Sequence, residues 1–158
     1  MGFFQFTRTQ KIPAPVDLVW DFISAPENLK RITPKSMGFE ITTGTDNKKM
    51  YEGMIIGYRV RPMLNINTTW VTEITHIEPK KYFVDEQRIG PYRMWHHEHK
   101  LEQIEGGVLM TDIVSYQPPF GWLGSLANML FIRKKLQSIF DYRTKAVDEI
   151  FGKWEKPD

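Results

Sequence analysis

The chain contains no cysteine, which excludes disulfides, thiolate metal ligands and a cysteine nucleophile, and suits a reducing compartment. It has no run of about 18 apolar residues, so no membrane-spanning helix is expected. No charged segment followed by an apolar core opens it, and Phe6 stands where a myristoylation signal needs Ser or Thr. A cytoplasmic location is the expectation, without stable membrane insertion. Charge of one sign is also missing: 21 basic residues face 19 acidic ones, a net charge of +2. That field is too weak to hold a phosphate backbone, so nucleic acid is not an expected partner. The longest basic cluster, Arg133-Lys134-Lys135, reads as a solvated helical turn, with an anionic membrane contact as its rival. There is no glycine-rich phosphate loop, no G-x-S-x-G elbow and no H-E-x-x-H, and these absences weigh against an enzyme without excluding general acid–base chemistry.

What is present is aromatic mass. Aromatic residues make up 13% of the 158, five of them Trp, and a chain of this length buries roughly two thirds of its unfolded surface in one domain with a sizeable core. Phe4 to Ile12 alternates as a strand with one polar side, ending at Pro13. Pro15 then opens a short amphipathic helix with Val16, Val19, Trp20 and Ile23 on one face. Ala25 to Leu29 starts another helical turn or two, closed at Thr33-Pro34 because the residue before proline avoids the helical region.

From Gly38 to Tyr116 the period is two. Turn chemistry at Thr45–Lys48, Arg61-Pro62, Glu78-Pro79, Ile89–Pro91 and Glu105–Gly107 separates six strands, about Phe39–Thr43, Tyr51–Val60, Asn65–Ile77, Tyr82–Arg88, Arg93–Gln103 and Val108–Tyr116. Connections this short predict antiparallel neighbours, hence a meander. After Pro118-Pro119-Phe120-Gly121, helical spacing runs from Trp122 to about Phe151, with Leu126, Met129, Leu130, Leu136, Phe140, Val147 and Ile150 as its apolar stripe. A helix so long needs a partner, and only the sheet is large enough.

The segment around Trp95 carries the most chemistry. Period two puts Trp95, His97, His99 and Leu101 on one face, where a solid core would favour Val, Ile and Phe. His97 and His99 lie about 7 Å apart along the strand. Such a pair binds metal only with a converging third ligand, which spacing does not supply, so no metal and no cofactor are expected. His96 alternates outward, whereas Trp70, Thr72, Ile74 and His76 share one face, as do Phe83, Asp85 and Gln87. Asp112 sits among Met110, Val114 and Tyr116 and needs a partner if buried. Arg143 falls on the helix's apolar stripe and is the candidate partner. The Phe120 and Trp122 loop is read as a lid or a rigid turn.

The order strand, two short helices, six-stranded meander and long terminal helix resembles the START-like helix-grip superfamily, which includes pollen-allergen-type lipid binders and polyketide cyclase/dehydratase-like proteins. The segment Ile12-Pro-Ala-Pro15 through Ala25-Pro26-Glu-Asn-Leu29 looks like the entry into the two grip helices. Phe83-Val-Asp85-Glu-Gln87, Gly90-Pro91-Tyr92, Trp95-x-His97-x-His99, Asp112, Tyr116 through Gly121 and Phe140-Asp-Tyr-Arg143 are similar to a bacterial group of ligand-binding proteins with no agreed reaction. The resemblance implies an α+β helix-grip domain over residues 1–152 with a short tail at 153–158. Its seven-stranded curved antiparallel sheet would wrap around the long C-terminal helix, with a ligand cavity between them.

The expectation is a carrier or sensor of a hydrophobic or amphipathic small molecule, acting as a monomer or weak homodimer. Its favoured wall is Trp70, Phe83, Asp85, Gln87, Trp95, His97, His99 and Tyr116, with Arg143 as an anchor for an anionic group. A cyclase or dehydratase using His97 or His99 with Asp85 or Asp112 is one alternative. The second is a module whose exposed aromatics dock a protein or membrane.

Overall fold

Alternation of polar and apolar residues over Phe4–Ile12 produces the first strand, β1, whose inward side chains become fully buried at Gln10 and Ile12. The computed structural model describes residues 2–43, 49–61 and 66–155. Helix α1, Val16–Ile23, begins directly after Pro15 and buries Val19, Trp20, Phe22 and Ile23. A 3-10 helix follows over Pro26–Ile32, ends at the extended Thr33 before Pro34, and is succeeded by a short turn over Lys35–Met37.

The remaining strands are β2 Glu40–Thr43, β3 Ile55–Val60, β4 Thr68–Glu78, β5 Tyr82–Ile89, β6 Met94–Ile104 and β7 Gly107–Gln117. They form one seven-stranded sheet in the order β1-β7-β6-β5-β4-β3-β2, with every neighbouring pair antiparallel. The meander is therefore present, closed by β1 on its β7 edge. The expected turn at Thr45–Lys48 and the expected strand start at Asn65 lie outside the described residues, as does Pro62. The third strand starts at Ile55 rather than Tyr51. Gly53 takes φ of 86°, and the Met54 amide bonds the Tyr51 carbonyl, so Tyr51–Gly53 is a turn.

A β-bulge changes one face assignment. Ile74 pairs with Asp85 but His76 pairs with Val84, so Thr75 is an extra residue and the side chains beyond it swap faces. His76 therefore leaves the Trp70, Thr72, Ile74 row and is exposed, while Ile77 takes the inward position opposite Phe83.

The terminal helical run spans Gly121–Phe151 in three parts: α2 Gly121–Ala127, a π-helical turn Asn128–Ile132 and α3 Arg133–Phe151. The π turn is where the expected stripe fails. Each residue of an α-helix advances about 100°, so one residue too many per turn rotates everything before it. Asn128 and Ile132 are buried there, whereas Met129 is 67% exposed and Leu126, Leu130 and Phe131 face outward with it. Beyond the turn the expected phase returns: Leu136, Phe140 and Val147 pack against the sheet. Polar side chains fasten α3 to β1, with Arg8 donating to Asp141 at 2.6 Å and Gln10 to Asp148 at 2.8 Å. No described helix is long and apolar enough to cross a membrane.

Asn128 is polar, yet 3% exposed, because its Oδ1 accepts the Tyr116 hydroxyl at 2.6 Å. Asn128→Ala should cost about 1–3 kcal/mol, since it leaves a buried hydroxyl without a partner. Chemical denaturation measures the loss. Adding Tyr116→Phe should recover part of it, and strictly additive losses would count against this pairing.

Candidate functional site

Register brings the ionisable groups together. Asp85 of β5 pairs with His97 of β6, Phe83 with His99, and His99 in turn with Asp112 of β7. Paired residues on adjacent strands share a face with side chains about 5 Å apart, so three strands converge on one patch. His97 Nε2 lies 2.9 Å from Asp112 Oδ1, and His99 Nδ1 lies 3.1 Å from the same oxygen. Across the patch, Asp85 Oδ2 is 2.7 Å from His99 Nε2 and 3.5 Å from His97 Nδ1. The two imidazoles lie 3.7 Å apart, tilted by 36°, and Phe83 stacks on His99 at 4.1 Å.

Arg143 comes down onto this group from α3. Its Nη1 donates to Asp112 Oδ1 at 3.1 Å, the partnership that its place on the apolar stripe anticipates, and its guanidinium lies 4.7 Å from the Phe140 ring centre. Its Nε is buried without a hydrogen-bond partner. Asp112, 2% exposed, thus meets Arg143 and one nitrogen of each imidazole through a single oxygen.

Burial alone would push both carboxyl groups up and both imidazoles down. For Asp112 the Arg143 charge and the His97 and His99 hydrogen bonds overcome burial, holding it well below the usual carboxylate range. Asp85 is likewise lowered against burial by its hydrogen bond to His99 and the neighbouring positive charges. His99 is raised, because its hydrogen bonds to Asp112 and Asp85 outweigh burial. His97 is lowered by burial and by the charge on His99. These shifts favour both carboxylates in their charged form and place any proton on His99 before His97, beside the Arg143 charge.

A cavity of about 160 Å³ lies between this patch and the helix. Tyr58, Val60, Trp70, Thr72, Ile74, Phe83, Asp85, Trp95, His97 and His99 come from the sheet, and Ile132, Lys135, Leu136, Ile139, Phe140 and Arg143 from the terminal helical run. Leu29, Thr33, Met37, Phe39, Met50 and Tyr92 complete it. Burial pushes up the Tyr58 and Tyr92 hydroxyls, so both remain neutral donors.

Seven residues singled out in the sequence therefore reach the cavity: Trp70, Phe83, Asp85, Trp95, His97, His99 and Arg143. Asp112 lies behind the imidazoles instead of facing the space. Gln87 is not in the wall, because its amide is spent on the loop that follows, donating to the Tyr92 carbonyl at 2.6 Å and accepting from the Tyr92 amide at 3.2 Å. Tyr116 is buried under Asn128 and lines no part of the cavity. Phe120 and Trp122 are 81% and 73% exposed and do not line the cavity; Phe120 adopts a left-handed conformation at the turn into α2. His96 is outward as expected, with Nδ1 2.8 Å from Glu86.

Sequence reasoning missed Lys135 and Ile139. Their signal was present: Ile132, Lys135, Leu136, Ile139 and Arg143 follow helical spacing, but the stripe drawn through Met129 and Leu130 concealed it. Tyr92 was also missed as lining. The Gly90-Pro91 turn before it was visible, but not the edge-on contact of its ring with Trp70 at 5.8 Å.

Residues 12–140 match the family described as polyketide cyclase/dehydrase and lipid transport. No curated protein matches at a comparable level. Among solved structures, protein CV1439 from Chromobacterium violaceum superposes with a TM-score of 0.71 at 11% identity, covering 98% of this chain and 99% of that one. Major latex-like protein 151 from Panax ginseng gives 0.69 at 11% identity over 94% and 97% of the two chains. Protein Ms6760 from Mycobacterium smegmatis gives 0.65 at 15% identity over 92% of each. These likenesses establish the fold.

Proposed function

We propose, from the premise that this chain belongs to the polyketide cyclase/dehydrase and lipid transport family, that it binds a small amphipathic molecule between sheet and helix. The observation that carries this reading is the cavity's composition: an aromatic and aliphatic wall with Asp85, His97, His99 and Arg143 gathered on it. Apolar pockets with a few convergent polar groups are the usual form of a ligand site.

Size narrows the occupant. A cavity of roughly 150 Å³ takes a single benzene-sized molecule, and drug-sized ligands use about 300–1,000 Å³. A space of about 160 Å³ suits a compact ring system carrying a polar substituent, and a long acyl chain would need the walls to part. The unpartnered Arg143 Nε favours a substituent that accepts a hydrogen bond, a carbonyl, hydroxyl or carboxylate oxygen.

The test is extraction of folded, purified protein followed by mass spectrometry, with titration of small aromatic acids and phenols against tryptophan fluorescence. A bound ring compound, or saturable binding of the probes, is the expected result. Leu29→Trp, which adds an indole to the cavity wall, should weaken binding at least tenfold, about 1.4 kcal/mol. Unchanged affinity in that variant would place the ligand elsewhere.

A second reading is catalytic. Asp85, half-buried and bonded to His99 on the cavity wall, is an acid–base pair in reach of a bound ring. His99→Gln abolishing turnover of a bound compound while sparing its affinity would favour catalysis over carriage.

A further inference from the structure

We propose that Asp85, His97 and His99 bind one divalent first-row transition metal ion, with Asp112 and Arg143 holding the two imidazoles in place behind it.

Asp112 is the pivot of the group. Its Oδ1 stands 2.9 Å from His97 Nε2 and 3.1 Å from His99 Nδ1, so one nitrogen of each ring faces it. Arg143 Nη1, at 3.1 Å, fixes the same oxygen and offsets its charge. The other nitrogen of each ring, His97 Nδ1 and His99 Nε2, turns toward Asp85 Oδ2 at 3.5 and 2.7 Å. Two neutral rings hold only two N–H groups for these four nitrogen–carboxylate contacts, so two lone pairs face a carboxylate oxygen and repel it. A positive occupant removes that conflict. One extra proton satisfies one ring, whereas one metal ion satisfies both rings and Asp85 together.

Distances fit the same conclusion. One ligand atom from each of Asp85, His97 and His99 falls within a 4.8 Å group. Metal–nitrogen and metal–oxygen bonds of about 2.0–2.2 Å put atoms that share one ion roughly 3 Å apart, and the 2.7 and 3.5 Å separations bracket this. Two imidazoles and one carboxylate suit zinc, iron(II), cobalt(II) and manganese. Each ring would pass its other N–H to a buried carboxylate, the arrangement that orients histidine ligands in metal proteins generally. All three ligands face the cavity, so the open coordination positions are directed into it. With neutral imidazoles, the ion, two carboxylates and Arg143 leave one net positive charge, which favours an oxygen donor from hydroxide or a bound molecule.

The inference goes beyond the ligand reading, and its test uses metal alone, so the two fail separately. Full-length protein stripped with chelator is titrated with Zn²⁺ and Co²⁺ by calorimetry and, for Co²⁺, by visible absorption. One ion per chain is expected. His99→Ala should reduce affinity by a hundredfold or more, and Asp112→Asn by about 10- to 100-fold. His96→Ala should leave it unchanged, because His96 lies on the opposite face of the sheet with Glu86. Should the His99 variant fail to fold, Mn²⁺ added to the unaltered protein decides: signals of Phe83 and Trp95 should broaden at one equivalent. Absence of saturable binding by either titrated ion overturns the proposal. So does stoichiometric binding that survives His99→Ala, or broadening centred on His96.

Discussion

Asp112→Ala should cost about 3–5 kcal/mol of stability, because it strips the shared acceptor from a buried cluster and leaves Arg143 and two imidazoles facing one another. The replacement creates no large cavity, so the loss is electrostatic in origin. Arg143 loses the only hydrogen bond described for its side chain, while its Nε is already without a partner. Urea or thermal unfolding measures the change. Asp112→Asn keeps the shape and one acceptor oxygen but not the charge, so it should fall between wild type and Ala. A loss below about 1 kcal/mol for Asp112→Ala would mean that water enters the cluster, and the picture of a dry group would be wrong.

Phe140→Ala is the second large effect, again about 3–5 kcal/mol. The ring is 3% exposed, packs 5.0 Å from Phe6 and 5.8 Å from His97, and lies under the Arg143 guanidinium. Unlike the Asp112 change, this one enlarges the cavity, which Phe140 lines. Stability should fall while the upper size limit for bound probes rises by about one phenyl ring. Denaturation and probe titration read the two consequences on the same sample. If stability falls but the size limit stays put, the helix has collapsed into the space, and Phe140 does not set the cavity's depth.

Strand positions were legible because period two persists through β1 and β4 to β7, and side-chain alternation is a short-range property of the backbone. The pairing of Asp112 with Arg143 was legible for another reason. A carboxylate among Met110, Val114 and Tyr116 and a guanidinium beside Phe140 are each costly alone, and the chain holds few ways to relieve both. Three features were not legible. The bulge at Thr75 moves His76 outward by one extra residue on β4, and only the facing strand reveals it. Gln87 shares a face with Asp85 but is claimed by the backbone of Tyr92, a contact set by the loop between β5 and β6. The convergence of Asp85 on His97 and His99 depends on the β5–β6 register, which one residue of slip would abolish.

The π turn at Asn128–Ile132 makes chain length there act as torsion. One residue removed from it would swing Gly121–Ala127 by about 100° about the helix axis while Arg133–Phe151, tied to β1 through Asp141 and Asp148, kept its bearing. Insertions and deletions at this point thus select which flank of the leading segment meets the sheet, as turning a key selects a ward, without disturbing Leu136, Phe140 or Arg143. The forward part of the helix can be re-aimed independently of the rear part that grips the imidazole cluster.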